Sequence, residues 1–359
     1  MVHAVIMAGG VGTRFWPASR REQPKQFLKV FGERTLIQET VDRIGDLVPP
    51  ERCYVVTNKR YVDETRAQLP TIPPENVLAE PISRNTAPCI NFAAVELARR
   101  DPEAMMVVLP ADHMIKDEER FRACLRAAIE TAREPGALVT IGIQPTHPAT
   151  GYGYIQFEQS RDESGDNHPA YPVKTFAEKP DIETAERFLY SGDFVWNSGM
   201  FVWRVDTVLD NLQRFVPRTY EAFQPLRNLP ASADATSVIQ AAFETSQSIS
   251  IDYAIMERAD HVYVVPGSFG WSDIGDWRAV YDLSKKDEHG NALDGEVIVQ
   301  NSSRCLVRAT EGRLVVLVGI HDALVIETED ATLVCSRDQS QQVKSVVEYL
   351  SAHQLDHYV

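Results

Sequence analysis

The segment after the first apolar run of the chain combines closely spaced glycines with basic side chains. Residues 9–14 read GGVGTR, and further cations follow at Arg20, Arg21, Lys25 and Lys29. Glycines let backbone N–H groups approach phosphate oxygens, and Arg14 adds a planar charged fork suited to phosphate. No Gly-Lys-Ser/Thr closes the segment as in a Walker A loop, and Arg14 replaces the third glycine of GxGxxG. The segment predicts a phosphate-binding loop, and the alternative is a strand-to-helix turn with a solvated basic face.

Two aspartates from distant parts of the chain are candidate metal ligands. Asp112 follows the apolar run at 105–109, and Asp273 lies in GWSDIGDW at 270–277. Two carboxylates suit Mg²⁺, which takes few protein ligands and keeps waters and phosphates around it. Such a metal would neutralise charge on phosphate groups. Each aspartate could instead be a turn or helix-capping residue. His113 is expected to form local hydrogen bonds, because no second histidine stands at metal-ligand spacing.

Three further segments combine glycine, aromatic and polar side chains: TGYGY at 150–154, FAEKP at 176–180 and WNSGMF at 196–201. Glu178 could accept hydrogen bonds from sugar hydroxyls, and Lys179 could meet a phosphate as a point charge. Each segment could also be a hairpin or strand-end turn beside ordinary core aromatics. Likewise, EPISRNT at 80–86 could be only a helix start, capped by Asn85 or Thr86.

The elements that position these segments alternate between strand and helix up to about Lys286. Strands are predicted at 2–7, 53–57, 105–109 and 138–143, and helices at 35–47, 87–100 and 121–133. Repeated strand–helix–strand units predict a Rossmann-like α/β fold, with a mixed, mainly parallel sheet flanked by helices. Ligands of such sheets bind at the carboxyl ends of the strands, so we expect Asp112 near the glycine loop.

After Glu288 the pattern changes to short β-branched runs, at 296–299, 305–307, 314–318, 323–326 and 332–334. Turn residues separate them at fairly regular intervals, which predicts a small coil of stacked strands followed by a helix at about 339–351. We therefore expect a catalytic domain over 1–286 and a C-terminal β-rich domain over 287–359.

Composition excludes several classes of function. The chain has 36 basic and 51 acidic side chains, a formal net charge of −15, which argues against general binding to nucleic acid or anionic membranes. Its five cysteines are scattered without CxxC spacing, so neither a zinc site nor a disulfide framework is indicated. The N-terminal apolar run is short, and no run approaches the ~18 residues of a membrane span. We expect a soluble cytoplasmic protein.

The ordered set of segments resembles the sugar-nucleotide pyrophosphorylase family, and looks most like its short-form mannose-1-phosphate guanylyltransferases. The matching pieces are AGGVGTRFWPASR, PKQF, EPISRNTAPCI, LPADH, TGYGYI, FAEKP, WNSGMF, SIDYAIME and GWSDIGDW. Phe15-Trp16-Pro17 and PKQF are typical of the mannose enzymes, whereas glucose-1-phosphate relatives carry Leu before the residue preceding proline and lack PKQF. The C-terminal part looks like the family's left-handed β-helix. Arg258, where lysine is typical, is a minor departure.

The resemblance implies transfer of GMP from GTP to mannose 1-phosphate, giving GDP-mannose and pyrophosphate, with Mg²⁺ or Mn²⁺ as cofactor, in a homodimer. It assigns the nucleotide to Ala8, Gly9, Gly10, Gly12, Thr13, Arg14, Lys25, Glu80, Ser83, Asn85 and Asp112. It assigns the sugar phosphate to Gly153, Glu178, Lys179, Asn197 and Asp252. The catalytic residues would be Arg14, Lys25, Asp112 and Asp273, the two aspartates as metal ligands. Longer relatives carry an isomerase domain after the β-helix, and because the chain ends at Val359 that activity is not expected.

Three alternatives stay open. One is a glucose-1-phosphate nucleotidyltransferase, and another is a non-catalytic regulatory homologue that binds sugar nucleotide without turnover. The weakest is a nicotinamide dehydrogenase, whose glycine pattern differs from GGVGTR. For nucleotidyl transfer we expect in-line attack by the sugar phosphate on the α-phosphorus. That attack needs no protein nucleophile, because the attacking phosphate is already anionic, so positioning and charge neutralisation would carry catalysis.

Overall fold

The computed structural model describes residues 1–158, 169–230 and 233–359. Its strands are β1 (Val2–Ala8), β2 (Cys53–Asn58), β3 (Val77–Glu80), β4 (Met105–Pro110), β5 (Met114–Ile115), β6 (Leu138–Ile143), β7 (Tyr154–Phe157), β8 (Tyr171–Ala177), β9 (Phe194–Arg204), β10 (Val262–Gly267), β11 (Trp271–Ser272), β12 (Ala292–Asp294), β13 (Glu296–Gln300), β14 (Leu306–Arg308), β15 (Leu314–Val318), β16 (Ala323–Glu327) and β17 (Thr332–Ser336).

Its α-helices are α1 (Leu36–Ile44), α2 (Val62–Gln68), α3 (Thr86–Arg100), α4 (Glu118–Thr131), α5 (Ile182–Ser191), α6 (Val205–Phe215), α7 (Pro217–Arg227), α8 (Thr236–Thr245), α9 (Trp277–Leu283) and α10 (Val343–Ala352). A π-helix covers Asp252–Met256. The helix predicted over 35–47 ends as an α-helix at Ile44 and continues as a 3-10 turn, in which Gly45 has a φ of 56°. None of the helices that the structure describes has both the length and the apolar character that crossing a bilayer requires.

The chain divides into two compact units, each assembled from separate stretches of sequence. Unit 1 comprises Met1–Gly9, Thr40–Ala111 and Ile115–Trp271. Unit 2 comprises Gly10–Glu39, Asp112–Met114 and Ser272–Val359. Most of the glycine loop and both candidate metal ligands therefore belong to unit 2. A catalytic domain over 1–286, with a second domain over 287–359, stays a prediction.

Within the described residues, unit 1 is built on a nine-stranded sheet in the order β3-β2-β1-β4-β9-β6-β10-β8-β7. β1 pairs in parallel with β2 and β4, and β10 pairs in parallel with β6. The first strands are continuous apolar runs because parallel strands are covered on both faces. β9 runs antiparallel between β4 and β6, which makes the sheet mixed. The predicted α/β fold is confirmed.

Helices α3, α6, α7 and α8 cover one face of this sheet. Phe92, Phe223 and Phe243 meet there with ring centroids 5.2–5.9 Å apart, and all three side chains are buried. The start of α3 also holds the segment before the π-helix. Ile251 N–H donates to Thr86 Oγ1 at 2.8 Å, and Ala87 N–H donates to the Ile249 carbonyl at 3.1 Å. The position of Asp252 is therefore fixed by contacts with α3.

Unit 2 contains the predicted coil of stacked strands. β12, β14 and β16 pair in parallel, β13 pairs in parallel with β15, and β17 closes the first group in antiparallel register. The segment after the glycine loop packs into the same core. Trp277 is fully buried, its ring centroid lies 5.0 Å from that of Phe15, and its indole N–H donates to the Trp16 carbonyl at 3.0 Å. The β-rich part of unit 2 therefore supports the residues around Lys25.

Candidate active site

The glycine loop is closed against Lys25 within unit 2. Gly12 has a φ of 71°, and a Cβ placed there would lie 2.3 Å from Lys25 Cβ. The backbone N–H of Lys25 donates to the Val11 carbonyl at 3.3 Å, and Ser19 Oγ donates to the same oxygen at 2.7 Å. Only glycine combines this left-handed conformation with so close an approach. Gly12 thus sets the distance between the loop and the lysine.

Lys25 brings together the two aspartates that the sequence singled out. Its ammonium donates to Asp112 Oδ2 at 2.9 Å and to the Asp273 carbonyl at 2.6 Å, and lies 5.3 Å from the Phe15 ring centroid. The Lys25 side chain is 6% exposed, whereas that of Asp112 is 38% exposed. Burial alone would raise the pKa of the Asp112 carboxyl. The positive charges of Lys25 and His113 outweigh burial and hold that pKa below its usual range.

The turn that carries Asp273 is strained. Ile274 has a φ of 44° and is fully buried. A β-branched residue in the left-handed region is a genuine outlier, and such strain persists only where surrounding packing imposes it. Ile274 N–H donates to Ser272 Oγ at 3.1 Å, which closes the turn. The Asp273 carbonyl that accepts from Lys25 comes directly before this strained residue.

The other basic residues near the loop divide into two groups. Arg14 lies in the 3-10 helix Thr13–Phe15 and is exposed. Arg20 instead donates to the Tyr358 carbonyl and pairs with Asp330 at 2.8 Å, and Arg21 pairs with Asp356 at 3.1 Å. These last two arginines hold the C-terminal residues of unit 2. Arg20 and Arg21 therefore have structural partners within unit 2, which differs from the solvated basic face that the sequence offered as the alternative.

Glu80 is a buried carboxylate in unit 1. The residue is 3% exposed, and its Oε1 has no hydrogen-bond partner among the described residues. A Cβ on Gly9 would lie 3.0 Å from Oε2. Burial raises the pKa of Glu80 to about 7, although a hydrogen bond with Cys89 acts in the opposite direction. This carboxylate can accept further hydrogen bonds from a ligand or water.

The neighbouring predicted nucleotide residues are exposed. Ser83 and Asn85 lie in the turn between β3 and α3. Asn85 has a φ of 69°, and its Oδ1 accepts from Thr86 N–H at 2.8 Å. Asn85 therefore has the helix-capping role that the sequence offered as the alternative, and a role toward a nucleotide stays a prediction.

The predicted sugar-phosphate residues come together in unit 1. Glu178 Oε1 and Lys179 Nζ form an ion pair at 2.7 Å, in which the side chain of Glu178 is 13% exposed and that of Lys179 is 59% exposed. A Cβ on Gly153 would lie 2.5 Å from Glu178 Oε2 and 3.4 Å from Asn197 Cβ. Because Gly153 has no side chain, the side chains of Glu178 and Asn197 can both pack against its backbone.

Asn197 connects this pair to the π-helix. Its Nδ2 donates to Asp252 Oδ1 at 2.6 Å, and its Oδ1 accepts from Thr140 Oγ1 at 3.3 Å. The register between β6 and β9 shifts beside Asn197, and Gly199 has a φ of 70°. A bulge of this kind re-aims a strand side chain. Burial raises the pKa of Asp252, while the hydrogen bond from Asn197 opposes that rise.

Several contacting residues were missed by sequence reasoning. Phe15 faces the Lys25 ammonium, Cys89 hydrogen-bonds Glu80, and Thr140 hydrogen-bonds Asn197. Thr140 carried a signal, because it is the one polar residue in the run LVTIGI at 138–143. Phe15 and Cys89 are close in sequence to their partners Lys25 and Glu80, but irregular turns and not a regular periodicity bring these side chains together, so no pattern identified them.

Where the structure describes the chain, no preformed metal cage accompanies these residues. In the described ranges 1–158, 169–230 and 233–359, no three or more His, Cys, Asp or Glu side chains are grouped to hold a metal ion. Asp112 and Asp273 nevertheless supply hard carboxylate oxygens on a partly exposed surface of unit 2. Mg²⁺ takes most of its ligands from water and phosphate, so this donor set fits it.

Two family models match the chain. The nucleotidyl transferase model matches residues 3–290, and the MannoseP isomerase/GMP-like beta-helix domain model matches residues 295–350. Since the first model covers most of the chain, the chain belongs to the nucleotidyl transferase family.

Individual relatives give a narrower result. The chain is 41% identical to mannose-1-phosphate guanylyltransferases of Klebsiella pneumoniae and Escherichia coli, in each case across 100% of this chain and 76% of the relative. A crystal structure of a mannose-1-phosphate geranyltransferase from Thermus thermophilus is 34% identical, with a TM-score of 0.88 over 98% of this chain and 99% of that one. The resemblance to mannose-1-phosphate guanylyltransferases is confirmed.

Proposed function

We propose that this protein transfers GMP from GTP to mannose 1-phosphate, releasing pyrophosphate and forming GDP-mannose. The observation that carries the proposal is the 41% identity to mannose-1-phosphate guanylyltransferases along the full chain. The ion pairs Lys25–Asp112 and Lys179–Glu178 support it, because both belong to segments on which the resemblance rests.

The triphosphate is assigned to the glycine loop and to Lys25. The residues are Ala8, Gly9, Gly10, Gly12, Thr13, Arg14 and Lys25. The φ of 71° at Gly12 and its approach to Lys25 support this role, because a loop without side chains lets N–H groups reach phosphate oxygens. Arg14 is exposed and offers its guanidinium fork to the same oxygens.

Guanine is assigned to Glu80, with Ser83 and Asn85 nearby in sequence. Guanine presents two adjacent donors, N1–H and N2–H, whereas adenine presents an acceptor at N1. Above its pKa of about 7 the Glu80 carboxylate is ionised and acceptor-only, so it pairs with guanine and leaves adenine N1 unsatisfied. The Oε1 of Glu80, which lacks a partner in the described part of the chain, supports this assignment. A buried site of this kind discriminates strongly between the two bases, because the wrong base leaves a buried polar group without a hydrogen bond, which costs binding free energy.

The sugar phosphate is assigned to the cluster of unit 1. The ammonium of Lys179 is the exposed member of its pair, so it can meet an anionic phosphate. Gly153 leaves room for a hydroxyl-binding carboxylate at Glu178, and Asn197 and Asp252 offer an amide and a second carboxylate. These groups suit a ligand that presents several hydroxyls beside one phosphate.

Asp112 and Asp273 are assigned to Mg²⁺ or Mn²⁺. When bound, the metal supplies charge neutralisation at the phosphates during transfer. The chain contributes positioning: Lys25 orients Asp112, and the strained turn at Ile274 fixes Asp273. No protein nucleophile is required, because the sugar phosphate oxygen attacks the α-phosphorus itself and pyrophosphate leaves.

We also propose a homodimer formed through the exposed face of β13 and β15. Ile298 lies opposite Val316 in register, and Leu314 and Val318 flank them on the same face. These four side chains are 46–60% exposed. The same face also carries Glu296, opposite Leu314, and Gln300, opposite Val318. In a chain of net charge −15, a mainly apolar face is where two copies meet with least repulsion. Val316→Lys should yield a monomer by light scattering at unchanged activity per chain, and a wild-type monomer would contradict the proposal.

The decisive experiment measures pyrophosphate release with four nucleoside triphosphates and two sugar phosphates, with and without Mg²⁺. We expect turnover with GTP, mannose 1-phosphate and Mg²⁺. Preference for glucose 1-phosphate would favour the glucose-specific alternative. Binding of GDP-mannose without any pyrophosphate release would favour the non-catalytic alternative.

A further inference from the structure

Lys25 contacts both residues that are assigned to the metal. Its ammonium donates to Asp112 Oδ2 at 2.9 Å and to the Asp273 carbonyl at 2.6 Å. The Phe15 ring lies on another side, with its centroid 5.3 Å away. The carboxylate of Asp112 therefore already has a counter-ion, and that counter-ion is held among three protein groups.

We propose that Lys25 makes metal binding at Asp112 conditional on the nucleotide. The inference rests on the proposed function, in which Asp112 and Asp273 hold the metal. A divalent cation that approaches this pair alone meets the repulsion of the ammonium and exchanges its water for few protein oxygens. A triphosphate changes both the repulsion and the number of ligands. Its oxygens supply further ligands to the cation, and they give Lys25 a new anionic partner. Metal and nucleotide then bind together.

The coupling is local, because the loop assigned to the phosphates also holds the stem of Lys25. The Lys25 backbone N–H donates to the Val11 carbonyl at 3.3 Å, and Gly12 packs against Lys25 Cβ. The ammonium stands at the end of a four-carbon chain with freely rotating bonds. It can therefore move from carboxylate to phosphate while the backbone beside Gly12 stays in place.

Direct metal binding tests this inference without reference to turnover. Mn²⁺ is titrated into the protein without nucleotide, and free Mn²⁺ is followed by electron paramagnetic resonance. Lys25→Met, which keeps the apolar stem, should bind Mn²⁺ at least about 10-fold more tightly than wild type, because one like charge is removed. Lys25→Arg should bind as weakly as wild type. Lys29→Met is the matched control, since Lys29 is an exposed lysine paired with Glu33 at 3.4 Å.

Equal Mn²⁺ binding by wild type and folded Lys25→Met would overturn the inference. If Lys25→Met does not fold, wild type alone decides. Tight Mn²⁺ binding without nucleotide, lost in Asp112→Asn, overturns it. Weak binding that GTP strengthens at least about 10-fold, beyond the Mn²⁺ that the same GTP binds without protein, supports it. A wrong assignment of the metal to Asp112 would give a different result from a wrong role for Lys25. In that case Asp112→Asn would bind Mn²⁺ in the presence of GTP as tightly as wild type does.

Discussion

The two units each contain a lysine–carboxylate pair, and the two pairs have opposite exposure. In Lys25–Asp112 the lysine is 6% exposed and the carboxylate 38%. In Lys179–Glu178 the lysine is 59% exposed and the carboxylate 13%. The N–O distances are nearly equal, 2.9 and 2.7 Å. The same two charges therefore offer a negative group to ligands in unit 2 and a positive group in unit 1.

A glycine stands against the buried member of each pair. A Cβ on Gly12 would lie 2.3 Å from Lys25 Cβ, and a Cβ on Gly153 would lie 2.5 Å from Glu178 Oε2. The missing side chain makes the space into which the buried partner fits. The exposed member of each pair therefore determines which charge a ligand meets. Asp112 suits a cation, and Lys179 suits a phosphate.

The largest expected effect comes from removing the exposed charge of unit 2. Asp112→Asn and Asp273→Asn should each lower kcat by about 10²–10³, the typical loss for one contact that stabilises transition-state charge. Turnover at saturating Mg²⁺ measures this, with circular dichroism to confirm folding. Asp294→Asn is the control, because Asp294 is an exposed carboxylate paired with Arg308 in the same unit. Near wild-type turnover in either variant would remove that residue from the metal site.

Glu80 extends the comparison, because it is a buried carboxylate that pairs with no cation among the described residues. Its pKa rises from 4.5 to about 7 on folding. Below pH 4.5 the group is protonated in both states and carries no penalty. Between pH 4.5 and 7 the unfolded chain ionises first, so wild type loses up to about 3 kcal/mol of unfolding free energy relative to Glu80→Gln. Urea unfolding of both proteins at pH 4.5 and 8 measures this, and an unchanged difference would contradict the raised pKa.

A side chain added at Gly12 should disturb only the Lys25–Asp112 pair, and one added at Gly153 should disturb only the Glu178–Lys179 pair. Gly12→Ala should weaken the binding of GTP, and Gly153→Ala should weaken the binding of mannose 1-phosphate. We expect each effect to be about 10- to 100-fold, since overpacking costs roughly 1–3 kcal/mol. Steady-state KM values for both substrates distinguish the two. Gly151→Ala is the matched control, because a Cβ there would have no atom of the described residues within 4 Å. Equal loss for both substrates in Gly153→Ala would argue against a separate sugar-phosphate cluster.

The smallest effect is expected from the exposed lysine of unit 1. Lys179→Ala should raise KM for mannose 1-phosphate by about 10-fold or more with little change for GTP, because a hydrogen bond to a charged group contributes roughly 1.5–3 kcal/mol. Lys174→Ala is the control, since Lys174 is a similarly exposed lysine paired with Glu158. An equal change for both substrates would remove Lys179 from the sugar-phosphate site.

Much of the fold followed from local pattern, because strand and helix periodicity is local. The apolar runs at 2–7, 53–57 and 105–109 became β1, β2 and β4. The antiparallel strand β9 was harder to predict, since its bulge at Asn197 depends on pairing with β6. Arg20 and Arg21 belonged to the basic cluster by sequence, but their partners lie more than 300 residues away at the C-terminus.

By itself, the sequence determined the residue types of the candidate site, their order along the chain and the family. Lys25, Asp112, Glu178 and Lys179 were identified from motifs alone, because motifs record which chemical groups occur and at what spacing. Only the tertiary structure decided which member of each pair is exposed and that Glu80 is buried. Burial depends on residues that pack from elsewhere in the chain, such as Gly12 and Phe15 on Lys25 and Gly153 on Glu178. The sign of the charge that each pair presents to a ligand is therefore a property of packing.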